Sequence, residues 1–219
     1  MGNYYPIMLD VNGKICKVIG GGKVAERKVN SLLEYGCIIE VISPFFTQKL
    51  EEYALEGLIS IKRRRYIYGD LEGSFLVFAA TNDNKVNNEC LRECKEKNIL
   101  INIANRRDMC DFIVPSKIKR GDLSITISTN GKSPALSKKI RRELEKLYPE
   151  EYSEYVNLLG EIREKVKREV NDINKRRDIL FKIINSGIIE KYVGKEIKDL
   201  KKELYNLYNK IFIFEDMNV

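Results

Sequence analysis

Gly20, Gly22 and Ala25 carry the G-x-G-x-x-G/A spacing of a dinucleotide-binding turn, within the run Lys14-Ile-Cys-Lys-Val-Ile-Gly-Gly-Gly-Lys-Val-Ala-Glu26. The chemistry such a run can do is phosphate binding by bare backbone. Gly20 allows a tight turn, Gly22 lets a pyrophosphate approach the main chain, Ala25 lets helix and strand pack closely, and Gly21 between them is expected to line the cofactor. Lys23 and Val24 then open a helix whose free N–H groups and positive dipole end point at the phosphates. Glycine clusters also make ordinary strand-to-helix turns. Here the cluster follows the first strand of the chain and starts a helix, which is the context a nucleotide site requires.

Three further segments can meet that turn at the carboxyl ends of a parallel sheet. Ser43-Pro44-Phe45 follows the second strand, where an acidic residue often holds ribose hydroxyls. None is present, and Glu40 comes too early, so this segment does not choose between NAD and its phosphorylated form. Thr81-Asn82-Asp83 follows the fourth strand and is expected to flank the nicotinamide side, with Asp83 or Asn84 equally suited to cap the next helix. The segment from Asn102 to Phe112 follows the fifth strand and holds Asn105, Arg106, Asp108 and Asp111. Basic residues accumulate from there on: Arg106, Arg107, Lys117, Lys119, Arg120, Lys132, Lys138, Lys139, Arg141 and Arg142. Together with a helix start at Ser133 they read as an anionic-ligand patch, or as a solvated basic surface.

The chain has 219 residues, a net charge of +7 and no histidine. Without histidine, acid–base work falls to carboxylates, Lys, Tyr or Cys, and the commonest transition-metal ligand is missing. Five cysteines (Cys16, Cys37, Cys90, Cys94, Cys110) form no C-x-x-C pair, so buried thiols in a reducing, cytoplasmic compartment are expected and no metal site is. No apolar run approaches membrane-spanning length, and no signal peptide is legible. The basic cluster lacks interleaved aromatics, which argues against nucleic acid.

The elements that must position these residues are legible from periodicity. Ile15–Ile19, Cys37–Ser43, Leu58–Lys62, Phe75–Ala80 and Ile99–Ile103 read as buried strands. Helices alternate with them, on Ala25, Val29, Leu32 and Leu33 ending near Gly36, over Thr47–Ala54, and over Asn84–Lys97. This is an α/β, Rossmann-like doubly wound domain over residues 1–114. Residues 115–149 form a small α+β segment, with a half-exposed strand at Leu123–Ser128 and a helix capped by Ser133-Pro134 that ends before Pro149. Residues 150–219 are expected to be helical. One stripe runs Tyr155, Leu159, Ile162, Val166, Val170, Ile173. A short helix follows over Ile179–Ile184, and a last stripe runs from Ile197 to Ile211.

Three stretches then resemble a known family: Val18–Lys28, Asn102–Pro115 with its Cys-Asp-Phe-Ile-Val-Pro ending, and Ser128-Thr-Asn-Gly-Lys-Ser-Pro134. Together they are similar to precorrin-2 dehydrogenase, which also forms the N-terminal part of siroheme synthase, over residues 5–150. The resemblance implies NAD-dependent oxidation of precorrin-2 to sirohydrochlorin, with iron insertion by the same cavity in some members. It implies a homodimer joined through the segment after Pro115, and a polyanionic tetrapyrrole held by Arg106, Lys117, Arg120, Ser128, Thr129, Asn130, Gly131 and Lys132. The family pattern has an aspartate where this chain has Asn105. A neutral amide orients substrate but takes no proton at ordinary pH. Asp108 or Asp111 supplies the carboxylate, or water takes the proton, or the chain is a chelatase-only or weakened member that binds tetrapyrrole or nucleotide.

Overall fold

A computed structural model describes residues 4–104, 106–192 and 197–216. The chain divides into two units, residues 1–114 and 115–219. In the first, strands β1 (Ile15–Ile19), β2 (Ile38–Ile42), β3 (Ser60–Lys62), β4 (Leu76–Ala79) and β5 (Leu100–Ile103) form one parallel sheet in the order β3-β2-β1-β4-β5. Chain order reverses beside β1, which makes the carboxyl ends of β1 and β4 the topological switch point where open α/β sheets bind ligands. Register is tight: Val18 lies opposite both Val41 and Phe78, and Phe78 lies opposite Asn102.

The sheet is apolar on both faces because helices cover both. Helix α1 (Lys23–Leu33) buries Ala25, Val29 and Leu32 against Val18, Val41 and Phe78, and α2 (Gln48–Leu55) adds Leu50 to the same layer. On the other face α3 (Asn84–Lys97) buries Cys90 and Cys94 against Val77, Ile101 and Ile103. Each buried aliphatic side chain in these layers contributes about 1.5–3 kcal/mol. All five cysteines are free thiols; four are buried and Cys110 is partly exposed. Burial pushes the Cys16 thiol up to about 12, so it stays protonated and packs as a small apolar group.

The connection from β3 to β4 is held by polar anchors. Asp70 accepts two 2.6 Å bonds from the Arg64 guanidinium and one of 2.9 Å from the Ile67 amide. Arg64 holds the Asp70 carboxyl below the usual range, more than burial raises it. A carboxyl depressed on folding stabilises above its unfolded pKa, and that contribution is lost as pH falls through the folded value. Asp70→Asn is therefore expected to lower stability by about 1 kcal/mol at pH 7. The gap to wild type in urea midpoint should narrow as the pH drops below about 4.

The second unit opens with an antiparallel pair, β6 (Ser116–Arg120) and β7 (Leu123–Ile127), followed by α4 (Pro134–Leu147). Ser133 caps α4 by accepting from the Leu136 amide, as its position before Pro134 predicts. Strand β6 is not among the sequence expectations, because Ser-Lys-Ile-Lys-Arg has a single apolar residue, the buried Ile118. The remaining helices are α5 (Tyr152–Glu169), α6 (Ile173–Ile184), α7 (Ile188–Tyr192) and α8 (Ile197–Asp216). They share a core of Tyr155, Ile162, Val166, Ile179, Leu204 and Tyr208 among others. The stripe expected to run through Ile173 breaks at Val170. Asp172 accepts from the Asn174 and Lys175 amides and starts a new helix, leaving Ile173 74% exposed. Among the described residues, no helix is long and apolar enough to cross a membrane.

Candidate functional site

The glycine turn leaves β1 through Gly20, whose φ of 114° suits glycine, and a Cβ there would lie 2.5 Å from the Ala80 carbonyl oxygen. Gly21 is pressed against the neighbouring loop, where a Cβ would lie 2.0 Å from the Phe45 carbonyl oxygen. Gly22 is different: a Cβ there would meet nothing within 4 Å. It caps α1 with extended backbone and no side-chain cap. Among the described residues no acceptor pairs with the amides of Gly21, Gly22, Lys23, Val24 or Ala25. A row of unpaired amides around an open glycine, at the positive end of a helix, is the donor set a pyrophosphate needs. The residues present fit a dinucleotide.

Thr47 ties this turn to the loop after β2. Its amide donates to the Gly21 carbonyl at 2.9 Å, and its hydroxyl accepts from Leu50 while donating to the Glu26 carboxylate. That bond, and then Lys23 at 3.0 Å, hold the Glu26 carboxyl below the usual range. Ser43 is buried and accepts from the Phe45 amide at 3.4 Å, while Pro44 and the Phe45 ring stand exposed. Glu40 is held by Lys62 at 3.0 Å and Lys17 at 3.6 Å, as its early position in β2 suggested. After β4, Thr81 and the buried Asn87 exchange bonds of 3.0 and 3.1 Å. Asp83 accepts from the Lys85 and Val86 amides as the cap of α3, and Asn82 is exposed.

The segment after β5 is pinned at many points. Asn102 donates to the Phe112 carbonyl at 2.9 Å, and the Ile103 amide points at the Cys110 sulfur at 3.1 Å. Both Asp111 oxygens are committed, one to Lys95 and one to the Ile101 amide, each at 3.1 Å. Asp108 is 71% exposed, with the Arg106 guanidinium 3.7 Å away. Tyr4 donates to the Arg107 carbonyl and lies under its guanidinium. Asn105 lies outside the described residues.

Residues expected to hold the second ligand divide between the units. Arg106 belongs to the first; Lys117, Arg120 and the turn Ser128–Lys132 belong to the second. Lys117 sits in β6 opposite Thr126. Arg120 is engaged by the Tyr148 carbonyl at 3.0 Å and Glu150 at 2.9 Å. In the turn, Asn130 and Gly131 take positive φ, Ser128 accepts from the Asn130 amide, and Thr129 accepts from the Lys132 and Ser133 amides. The turn thus delivers the chain to the start of α4.

Sequence reasoning missed two positioning residues, Thr47 and Asn87. Asn87 shares the 3–4 spacing of Cys90 and Cys94, so a polar group on a buried stripe was the available signal.

Comparison with known proteins places this geometry. Residues 7–116 match a family described as "Putative NAD(P)-binding", and residues 120–147 match one described as "Sirohaem biosynthesis protein central". A precorrin-2 dehydrogenase of Priestia megaterium is 33% identical over 181 residues, covering 83% of this chain and 89% of that one. The chain belongs to the precorrin-2 dehydrogenase family. A solved structure of this family, "SirC, precorrin-2 dehydrogenase", superposes with a TM-score of 0.75 at 30% identity, covering 94% of this chain and all of the other. The family fold is therefore the α/β sheet, small antiparallel pair and helical tail described above. A siroheme synthase of Nitrosococcus oceani is 32% identical over 194 residues, or 88% of this chain. The chain spans 42% of that relative's length.

Proposed function

We propose that this chain catalyses NAD-dependent oxidation of precorrin-2 to sirohydrochlorin, a step of siroheme synthesis. The observation that carries the reading is the open Gly22 cradle of unpaired amides in a chain that matches nearly the full length of a precorrin-2 dehydrogenase. NAD, when bound, supplies the hydride acceptor. The chain's part is to grip phosphates with the amides of Gly21 to Ala25 and to place Ser43, Pro44, Phe45, Thr81, Asn82 and Asp83 around the nucleoside ends. Arg106 in the first unit, and Lys117 and the Ser128–Lys132 turn in the second, each offer donors for carboxylates of such a macrocycle, while Arg120 is engaged by Tyr148 and Glu150. Of the two aspartates in the segment Arg106–Phe112, Asp108 is the more exposed, with Arg106 beside it, whereas Asp111 is committed to β5 and α3.

A homodimer belongs to the same proposal. Helix α4 leaves Leu136 46% and Leu147 65% exposed beside the β6–β7 pair, an apolar stripe that a second copy would cover. Five free thiols support a reducing, cytoplasmic setting.

The test is turnover of precorrin-2 with and without NAD, followed by absorbance. Wild-type protein is expected to turn over only with NAD, and Asn105→Asp is expected to change the rate by less than about tenfold. Turnover confined to the Asn105→Asp variant would make the natural chain a binding protein. The rival reading is iron insertion into sirohydrochlorin, favoured by the siroheme synthase match over the same stretch. Metal insertion in the absence of NAD separates it from oxidation.

A further inference from the structure

Lys28 stands on α1 one turn beyond Ala25, at the margin of the buried face. Its Nζ lies 5.2 Å from the centroid of the Phe78 ring, and the Cys110 thiol is the group of the segment after β5 that acts on its charge. Phe78 is one residue from the carboxyl end of β4, and the Cys110 sulfur is bonded to Ile103, the last residue of β5. The amine is thus held near the carboxyl end of β4, over the Phe78 ring. Among the described residues it makes no hydrogen bond and no ion pair.

The charges around it are few. Arg27 is adjacent on α1, and Asp108 and Asp111 act on Cys110. Asp111 is already paired with Lys95. Burial first, and Arg27 second, push the Lys28 amine below its ordinary value, while Cys110 acts the other way. The other polar groups at this edge are occupied: Asn102 by Phe112, Thr81 by Asn87, Ser43 by Phe45. The chain has no histidine to take a proton.

Resting on the dehydrogenase reading above, we propose that Lys28 is the proton acceptor of the oxidation. Going from precorrin-2 to sirohydrochlorin removes two hydrogens from the macrocycle. One leaves with its bonding pair as hydride to NAD. The other leaves as a proton to the Nζ lone pair of Lys28, while its bonding electrons remain in the macrocycle as a new double bond. The resulting ammonium returns the proton to water.

The experiment compares wild type, Lys28→Met and Lys28→Arg. In wild type, kcat/KM should rise with pH through one ionisation below the ordinary lysine value. Both variants should lose about 100-fold or more in kcat with NAD affinity unchanged, because neither can accept a proton near neutral pH. Methionine should not lower the melting temperature, since it removes an unpaired, partly buried amine. An active Lys28→Arg variant would make the residue an anion holder, and full activity in Lys28→Met would remove it from the chemistry; either result overturns the proposal. A second readout needs no turnover. After reductive methylation with ¹³C-formaldehyde, one lysine resonance should titrate below the rest and vanish in Lys28→Met. Titration of every lysine together overturns the Lys28 assignment alone, whereas wild-type protein inert with NAD and precorrin-2 overturns the dehydrogenase reading.

Discussion

Gly22→Asp is expected to weaken NAD binding by at least about 100-fold, or about 2.7 kcal/mol, while the protein remains as stable as wild type. The two halves of that result have separate causes. Nothing lies within 4 Å of the position a Cβ would take, and Gly22 has a φ of −86°, so a side chain enters without clash or backbone strain. Aspartate is also a preferred N-cap, and its carboxylate can accept from the first amides of α1. Those amides are the ones left for a pyrophosphate, so the substitution satisfies the donors the ligand needs and adds a negative charge beside it. Calorimetric titration with NAD and a thermal melt on the same sample decide the matter. Retained affinity would mean that the dinucleotide lies elsewhere. The contrast is Gly21→Ala, whose Cβ would strike the Phe45 carbonyl oxygen at 2.0 Å and should lower stability as well as binding.

The second large effect is on stability. Glu93 is fully buried on α3 and gathers three donors from the connection before β4: the Tyr66 hydroxyl at 2.5 Å, the Gly69 amide at 2.9 Å and the Leu71 amide at 3.0 Å. Lys97, one turn on, lies 3.5 Å away and balances its charge. Burial first, and then the bond to Glu93, keep the Tyr66 phenol firmly protonated as a donor. Glu93→Ala removes the acceptor of all three donors and is expected to cost about 3–5 kcal/mol. Glu93→Gln keeps acceptors for part of the set and should cost less. Urea midpoints of the two variants test the ordering. Equal midpoints would mean that the donors find other partners.

The glycine turn, the strand–helix alternation over the first 114 residues and the caps at Asp83 and Ser133 were readable in the sequence, because each depends on neighbours within a few positions. Other features were not readable, for a common reason. Strand β6 has one apolar residue in five and exists through pairing with β7. The helical stripe through Tyr155 and Val166 does not continue to Ile173, because capping by Asp172 competes with periodicity and wins locally. Asp111 looks like an available base in the sequence; in the fold its two oxygens meet Lys95 from α3 and Ile101 from β5, partners 16 and 10 residues away.

What the sequence determined by itself was a dinucleotide turn, a parallel sheet to carry it and a basic, histidine-free chain suited to an anionic partner. Tertiary structure alone decided which of the three glycines guard packing and which leaves space. Gly20 and Gly21 face carbonyl oxygens of Ala80 and Phe45, contributed by two other loops, whereas Gly22 faces none. It also decided that Lys28, unremarkable on a helical wheel, ends over a ring of β4 with no ion pair among the described residues. Local spacing encodes which atoms a short segment presents. Only long-range packing sets which of them are used by the fold and which are left for chemistry.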